Sequence, residues 1–289
     1  MAKYRISELT SSYVNYDMIQ THTDLPPPAE PRLRLLYAVL NEENDSREHS
    51  ELYTTVVSLV QMGMDTHDLI DTDTRRKTEK EMRSRQLKVL AGDYFSARFY
   101  QLLAKAGQIG MITKLSDAVC EVNRLKVNLY SRMRGMRLGA DDYFGYAVQL
   151  KSELFGHFAN LLEGSLSRVW PELLSGISRC EVAIEELERS EDANRFDRSW
   201  AYWHLLQVGN EEERHRLADG VYEQDYIATL VHKYDVRKHL AAKLGSGLIA
   251  LKTAIGRLES DKLIRELTAI ANALTNNTGG YMPALNEMR

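Results

Sequence analysis

The 289-residue chain is short of proline over most of its length. Pro26, Pro27, Pro28 and Pro31 crowd into "DLPPPAEP", and between Pro31 and Pro283 only Pro171 interrupts the sequence. Proline removes a backbone donor and breaks helix interiors, so this scarcity leaves room for long helices. Cysteine is scarcer still: Cys120 and Cys180 form no CxxC pair, which argues against a disulfide framework or a thiolate zinc site and for two reduced core thiols. No run of about 18 apolar residues occurs, and the N-terminal "MAKYRISELTSS" lacks the apolar core of a secretion signal. The expectation is a cytoplasmic protein without a transmembrane segment. An excess of one charge is missing too: a formal net charge of −4 gives no electrostatic reason to expect nucleic acid. Glycine-rich phosphate loops, nucleophile elbows and HExxH spacings are likewise lacking.

What is present is helix-forming. Hydrophobic content of 44% and charged content of 27% are those of an ordinary globular protein, and Leu, Ala, Glu, Lys, Arg and Met carry high helix propensity. Apolar residues recur at helical spacing with no competing strand-like alternation. The reading is all-α, a single large bundle of roughly ten helices. Residues 1–28 are read as an N-terminal helix and a proline-rich linker, 29–278 as the helical domain, and 279–289 as a flexible tail. "ELYTTVVSLVQMGMDTHDLI" is apolar nearly all round, which places that helix inside the bundle.

The chemistry-bearing stretch is "MDTHDLIDTDTRRKTEKEMRSRQLKVLAGDYFSAR". His67, Asp68 and Asp71 stand at i, i+1 and i+4, where a helix points side chains to one side, and Arg75 and Arg76 follow. Diphosphate binding through magnesium needs several hard oxygen ligands, and here an imidazole takes one of the three positions, a donor better suited to zinc or iron. Spacing alone favours a plainer alternative, a solvated acidic helix end.

The arrangement "HDLIDTDTRR" followed by "KVLAGDYFSAR" resembles the first aspartate-rich region of trans-prenyl diphosphate synthases, with Asp68, Asp71, Arg75, Arg76 and Leu90 to Tyr94 as the retained pieces. Lys151-Ser152 resembles that family's Lys-Thr pair. The resemblance implies an isoprenoid-synthase fold and a second aspartate-rich motif on a facing helix. The matching segment "CEVAIEELERS" has Glu185, Glu186 and Arg189 instead, which puts a positive charge where a cation would bind. A prenyl-synthase skeleton with degenerate aspartate motifs, together with "RQLKVLAGDYFS" and "EVNRLKVNLY", resembles component I of two-component heptaprenyl diphosphate synthases. That resemblance implies a regulatory subunit, inactive alone, that supports activity and product length in a catalytic component II making the menaquinone side-chain precursor from farnesyl and isopentenyl diphosphates.

Several site expectations follow from it. His67, Asp68 and Asp71 form a degenerate motif that holds no metal, and magnesium belongs to the catalytic partner. Arg75, Arg76 and Lys151 are candidates to face a prenyl diphosphate shared in the complex. The long central helices carry more apolar positions than one core-facing stripe uses, so Leu90, Phe95, Phe99, Leu102, Leu115, Val119 and Val122 are expected at the subunit interface, with a homodimer forming when component II is absent. The alternatives are a self-sufficient magnesium-dependent prenyl synthase or terpenoid enzyme using Asp68, Asp71 and the Glu185-Glu186 pair, or a purely structural helical interaction protein.

Overall fold

A computed structural model describes residues 4–70, 77–220 and 222–276. The described residues form fourteen α-helices, two short 3-10 turns and no strand, so the all-α reading holds. They comprise α1 Ile6–Val14, α2 Asp17–His22, α3 Glu30–Glu42, α4 Ser50–Asp68, α5 Glu79–Lys105, α6 Ile109–Arg134, α7 Ala140–Gly156, α8 Gly164–Ser190, α9 Ala193–Phe196, α10 Trp200–Val208, α11 Glu211–Ala218, α12 Gln224–Lys233, α13 Val236–Ile255 and α14 Asp261–Asn276. The helices outnumber the roughly ten expected because several readings split. The N-terminal segment holds two short helices, and the run from Gln224 to Ile255 is broken at Asp235, whose backbone is left-handed (φ 50°). Elsewhere helices run through such residues. Pro171 lies inside α8, which continues through the proline at the cost of one backbone hydrogen bond, and Gly92 lies within a continuous α5.

The chain divides into two compact units, residues 1–119 with 160–163 and residues 120–159 with 164–289. In the first unit α4 is the buried axis: Tyr53, Val56, Val57, Leu59, Val60, Met62 and Met64 are all buried. Each such side chain contributes about 1.5–3 kcal/mol on burial, which is why a helix apolar all round must lie inside. Its partner α5 starts at a full capping box, in which Thr78 accepts from the Glu81 amide while the Glu81 carboxylate accepts from the Thr78 amide. This cap satisfies two donors that a helix start otherwise leaves unpaired. α5 ends at Lys105, and the chain turns at Gly107, where φ is +70°. α4 and α5 approach closely at Gly63, where an added Cβ would stand 3.2 Å from the Gly92 carbonyl oxygen.

In the second unit α8 and α13 pack as a close pair. A Cβ on Gly176 would meet the Leu251 backbone at 3.1 Å, and one on Gly247 would meet Cys180 Sγ at the same distance. Cys180 is fully buried, and burial pushes its thiol up to about 12, which suits a reduced, unreactive core thiol. Cys120 is exposed, so the expectation of two core thiols holds for Cys180 only; Cys120 stands on the outer side of α6.

Candidate functional site

The C-terminal end of α4 carries the first candidate residues. His67 is partly exposed and Asp68 exposed, and the helix ends at Asp68. The His67 ring lies against α5 at Gly92: a Cβ there would stand 2.5 Å from Nε2. Glycine in "LAGDY" is therefore what lets the imidazole seat on the neighbouring helix. Nε2 reaches Asp93 Oδ1 at 3.5 Å, a contact that becomes an ion pair only when the ring is protonated. Asp65 accepts from Gln61 Nε2 at 2.7 Å. Among the described residues no group of three His, Cys, Asp or Glu side chains is placed to hold a metal ion. Asp71, Arg75 and Arg76 lie outside the described residues, so the spacing expected for His67, Asp68 and Asp71 is described only as far as its first two members.

The C-terminal end of α8 is organised differently. Glu186 is buried, with 2% of its surface exposed. Its Oε1 accepts from the Tyr143 hydroxyl and from Arg189 Nη1, both at 2.9 Å, and its Oε2 accepts from the Trp200 amide at 2.6 Å. Arg189 also donates to the Tyr143 hydroxyl (2.7 Å), to the Arg195 carbonyl (3.2 Å) and to the Asp197 carbonyl (3.0 Å). Glu185 pairs with Lys151 at 2.9 Å. Burial pushes the Glu185 carboxyl upward, but the Lys151 ammonium, with Arg189 and Arg195, overcomes that and holds it below the ordinary glutamate value. Burial together with the Glu186 charge pushes the Tyr143 hydroxyl well above the phenol range, so it remains a donor to the carboxylate.

Carboxylates bind magnesium through oxygens that face the ion. Here both oxygens of Glu186 are held by donors from three elements, and among the described residues its countercharge is the guanidinium of Arg189 on the same helix. The arrangement is an internal ion-pair lock in which an arginine supplies the positive charge. This disfavours a magnesium site on the Glu185-Glu186 pair. Lys151 faces Glu185 and is not held out for a phosphate group. Tyr143 and the Trp200 amide, both essential to this lock, were not anticipated from sequence. Tyr143 stands 43 residues from Glu186, and a polar-tipped aromatic on an amphipathic helix gives no sign of its partner.

The expected interface residues separate into two groups. Phe95, Phe99, Leu115 and Val122 are buried within the chain, between 0 and 4% exposed, so they cannot meet another chain without unfolding their own. Phe95 belongs to the cluster of Leu59, Met62 and Ala91, against which Leu102 also packs. Val119 is partly buried. Leu90 alone is open to solvent, at 61%. The surplus apolar character of these helices stands at other positions: Val89 and Tyr100 on α5, and Ile109, Val127 and Tyr130 on α6, all exposed. Helical phase explains the exchange, since α5 turns its 91/95/99 side to α4 and leaves 90, 97, 101 and 104 outward. Along α6 the outward line is Ile109, Thr113, Cys120 and Val127, all exposed. The Tyr100 hydroxyl and Ser116 Oγ, 2.9 Å apart, fasten α5 to the start of α6. Among the described residues no helix is long and apolar enough to cross a membrane.

Comparison with known proteins agrees with this architecture. The chain is similar over 94 residues, at 34% identity, to heptaprenyl diphosphate synthase component 1 of Geobacillus stearothermophilus; the matched part is 32% of this chain and spans 40% of that relative's length. Its fold is that of the heptaprenyl diphosphate synthase of Staphylococcus aureus (TM-score 0.67, 10% identity, 94% of this chain and 96% of that one). It is equally that of a decaprenyl diphosphate synthase from Rhodobacter capsulatus (TM-score 0.68, 15% identity, 93% of each chain). At such identities the likeness shows the trans-prenyltransferase fold alone. Residues 16–175, more than half of the sequence, match the model of heptaprenyl diphosphate synthase subunit 1, and the chain belongs to that family.

Proposed function

We propose that this chain is the non-catalytic, regulatory subunit of a two-component heptaprenyl diphosphate synthase, acting in the cytoplasm beside a catalytic component II. The observation that carries the reading is the lock at the end of α8. Ionising an allylic diphosphate relies on metal ions that neutralise the leaving charge, and the second carboxylate cluster of this chain is already neutralised by Lys151 and Arg189. Magnesium is therefore assigned to the partner, as are farnesyl and isopentenyl diphosphate turnover and the heptaprenyl product destined for menaquinone.

The outward face of α5 and of the start of α6, as far as Val119, is the surface through which this subunit would meet component II, with self-association of this chain when component II is absent. Leu90 and Ile109, each more than 60% exposed, supply apolar area, while Ala97, Ala104 and Thr113 keep the face shallow enough for a partner helix to approach. A stable interface of this kind buries about 1,600 Å² in total.

The test is an assay of farnesyl and isopentenyl diphosphates with magnesium, run on this chain alone, on component II alone and on the mixture. Activity is expected in the mixture only, and turnover by this chain alone at the rate of the mixture would overturn the reading. Leu90→Glu and Ile109→Glu should each abolish stimulation while circular dichroism stays unchanged. Phe99→Glu should unfold the chain instead, because its target is core.

A further inference from the structure

The second unit contains a cavity of about 680 Å³ that the lock does not use, walled by the end of α6, by α9 and the residues after it, by α10 and by the end of α11. Three features bear on what it could hold. Two of the three described non-glycine residues with left-handed backbone, Met136 (φ 50°) and Arg198 (φ 55°), line this one cavity. Such conformations are unfavourable for side-chain-bearing residues; at Met136 the left-handed residue caps the end of α6, the Arg137 amide donating to the Arg132 carbonyl and the Met136 amide to the Met133 carbonyl. Tyr202 is 6% exposed, and its hydroxyl makes no hydrogen bond among the described residues. Trp203, beside it in the wall, has a buried indole Nε1 with no acceptor among them. A buried indole donor is normally paired, and an exception calls for an explanation.

The wall thus has a surplus of donors, and its charge has the same sign. Arg134 and Arg198 are the cationic lining residues and Asp197 the acidic one. Asp197 is already engaged, accepting from the Tyr222 hydroxyl at 3.3 Å and facing Arg198 Nε at 3.5 Å. Arg134 makes no ion pair among the described residues. One positive charge is left over, with an unpaired phenol, while Met133, Met136 and Leu217 provide apolar wall. A phosphate dianion would be undercharged by this set; a monoanion with a hydrocarbon body matches it.

We propose that this cavity binds a small monocarboxylate with a short apolar tail, its carboxylate taken by Arg134 and the Tyr202 hydroxyl and its tail lying against Met133 and Met136. The reading is independent of subunit assembly and of prenyl transfer. The test uses the full chain and hexanoate as probe, followed through the ¹H–¹⁵N signal of the Trp203 indole. Saturable shifts are expected with hexanoate, weaker ones with acetate, which lacks the tail, and none with hexanol, which lacks the charge. Arg134→Gln, at an exposed position, should weaken hexanoate binding about tenfold or more, and Tyr202→Phe should weaken it less. Inorganic phosphate should compete poorly. Shifts that do not saturate, equal binding of hexanol, tighter binding of phosphate than of hexanoate, or an unaltered Arg134→Gln variant would each overturn the proposal.

Discussion

The ends of α4 and α8 contain the same raw materials and use them in opposite ways. At the end of α4, His67 and Asp68 stand partly or fully exposed, and His67 reaches Asp93 only at 3.5 Å. At the end of α8, Glu186 is buried and every oxygen has a donor within 2.9 Å. The difference is desolvation. An exposed acidic group keeps its water and costs nothing to leave loosely paired, whereas a buried carboxylate is tolerated only when fully hydrogen-bonded and countercharged. Acidic residues near a helix end are thus a solvated surface in one place and a structural fastening in the other.

The largest expected effect comes from breaking the fastening. Arg189→Met should strand the Glu186 carboxylate in the interior and destabilise the chain by about 3–5 kcal/mol, measured by urea unfolding. Adding Glu186→Gln should recover much of the loss, because the stranded charge is then gone. If Arg189→Met alone is neutral, the lock is not what holds α8 to α7 and α10.

At the α4 end the corresponding break is steric. Gly92→Ala should cost about 1 kcal/mol, since the displaced His67 ring outweighs alanine's better helix propensity. Combining it with His67→Ala should reverse the sign, making the double variant up to about 1 kcal/mol more stable than the Gly92 form carrying His67→Ala alone. Thermal unfolding of the four proteins in that cycle decides it.

A smaller effect tests the outer part of the α8 site. Glu185 is held below the usual glutamate value near 4.5, so the stability its pair with Lys151 contributes is present above that value and is lost as pH falls through the depressed one. Both side chains are partly exposed, which limits the pair to about 0–1 kcal/mol. Lys151→Met should therefore lose a fraction of a kcal/mol at pH 7 and nothing once Glu185 is protonated. A loss unchanged at low pH would show that Lys151 acts by packing. Smallest of all, Asp68→Ala should change stability by less than about 0.5 kcal/mol, and an equal loss at Asp68 and Arg189 would erase the contrast between the two ends.

Much of this was readable from residue order. The buried run of α4 announces itself, because a helix apolar on every side has nowhere else to go. The stops at Gly107 and Gly135 follow from glycine's ease at helix ends. "LAGDY" marked the right segment, and only the packing of α4 on α5 shows its glycine to be the seat of His67. The interface was the hard case. Phe99 and Leu90 are both large and apolar on one helix, and only the azimuth at which α5 meets α4 says which of them faces out.

Sequence by itself determined the helical class, the family and the positions of the acidic and basic groups, because periodicity, propensity and local motifs are properties of neighbours along the chain. Tertiary structure alone decided what the charges mean. Whether Glu186 is a metal ligand or half of a lock depends on Tyr143, Arg189 and the Trp200 amide arriving around it from separate helices. The strength of a charge–charge contact is set by the water that remains nearby, and burial is a property of the packed chain.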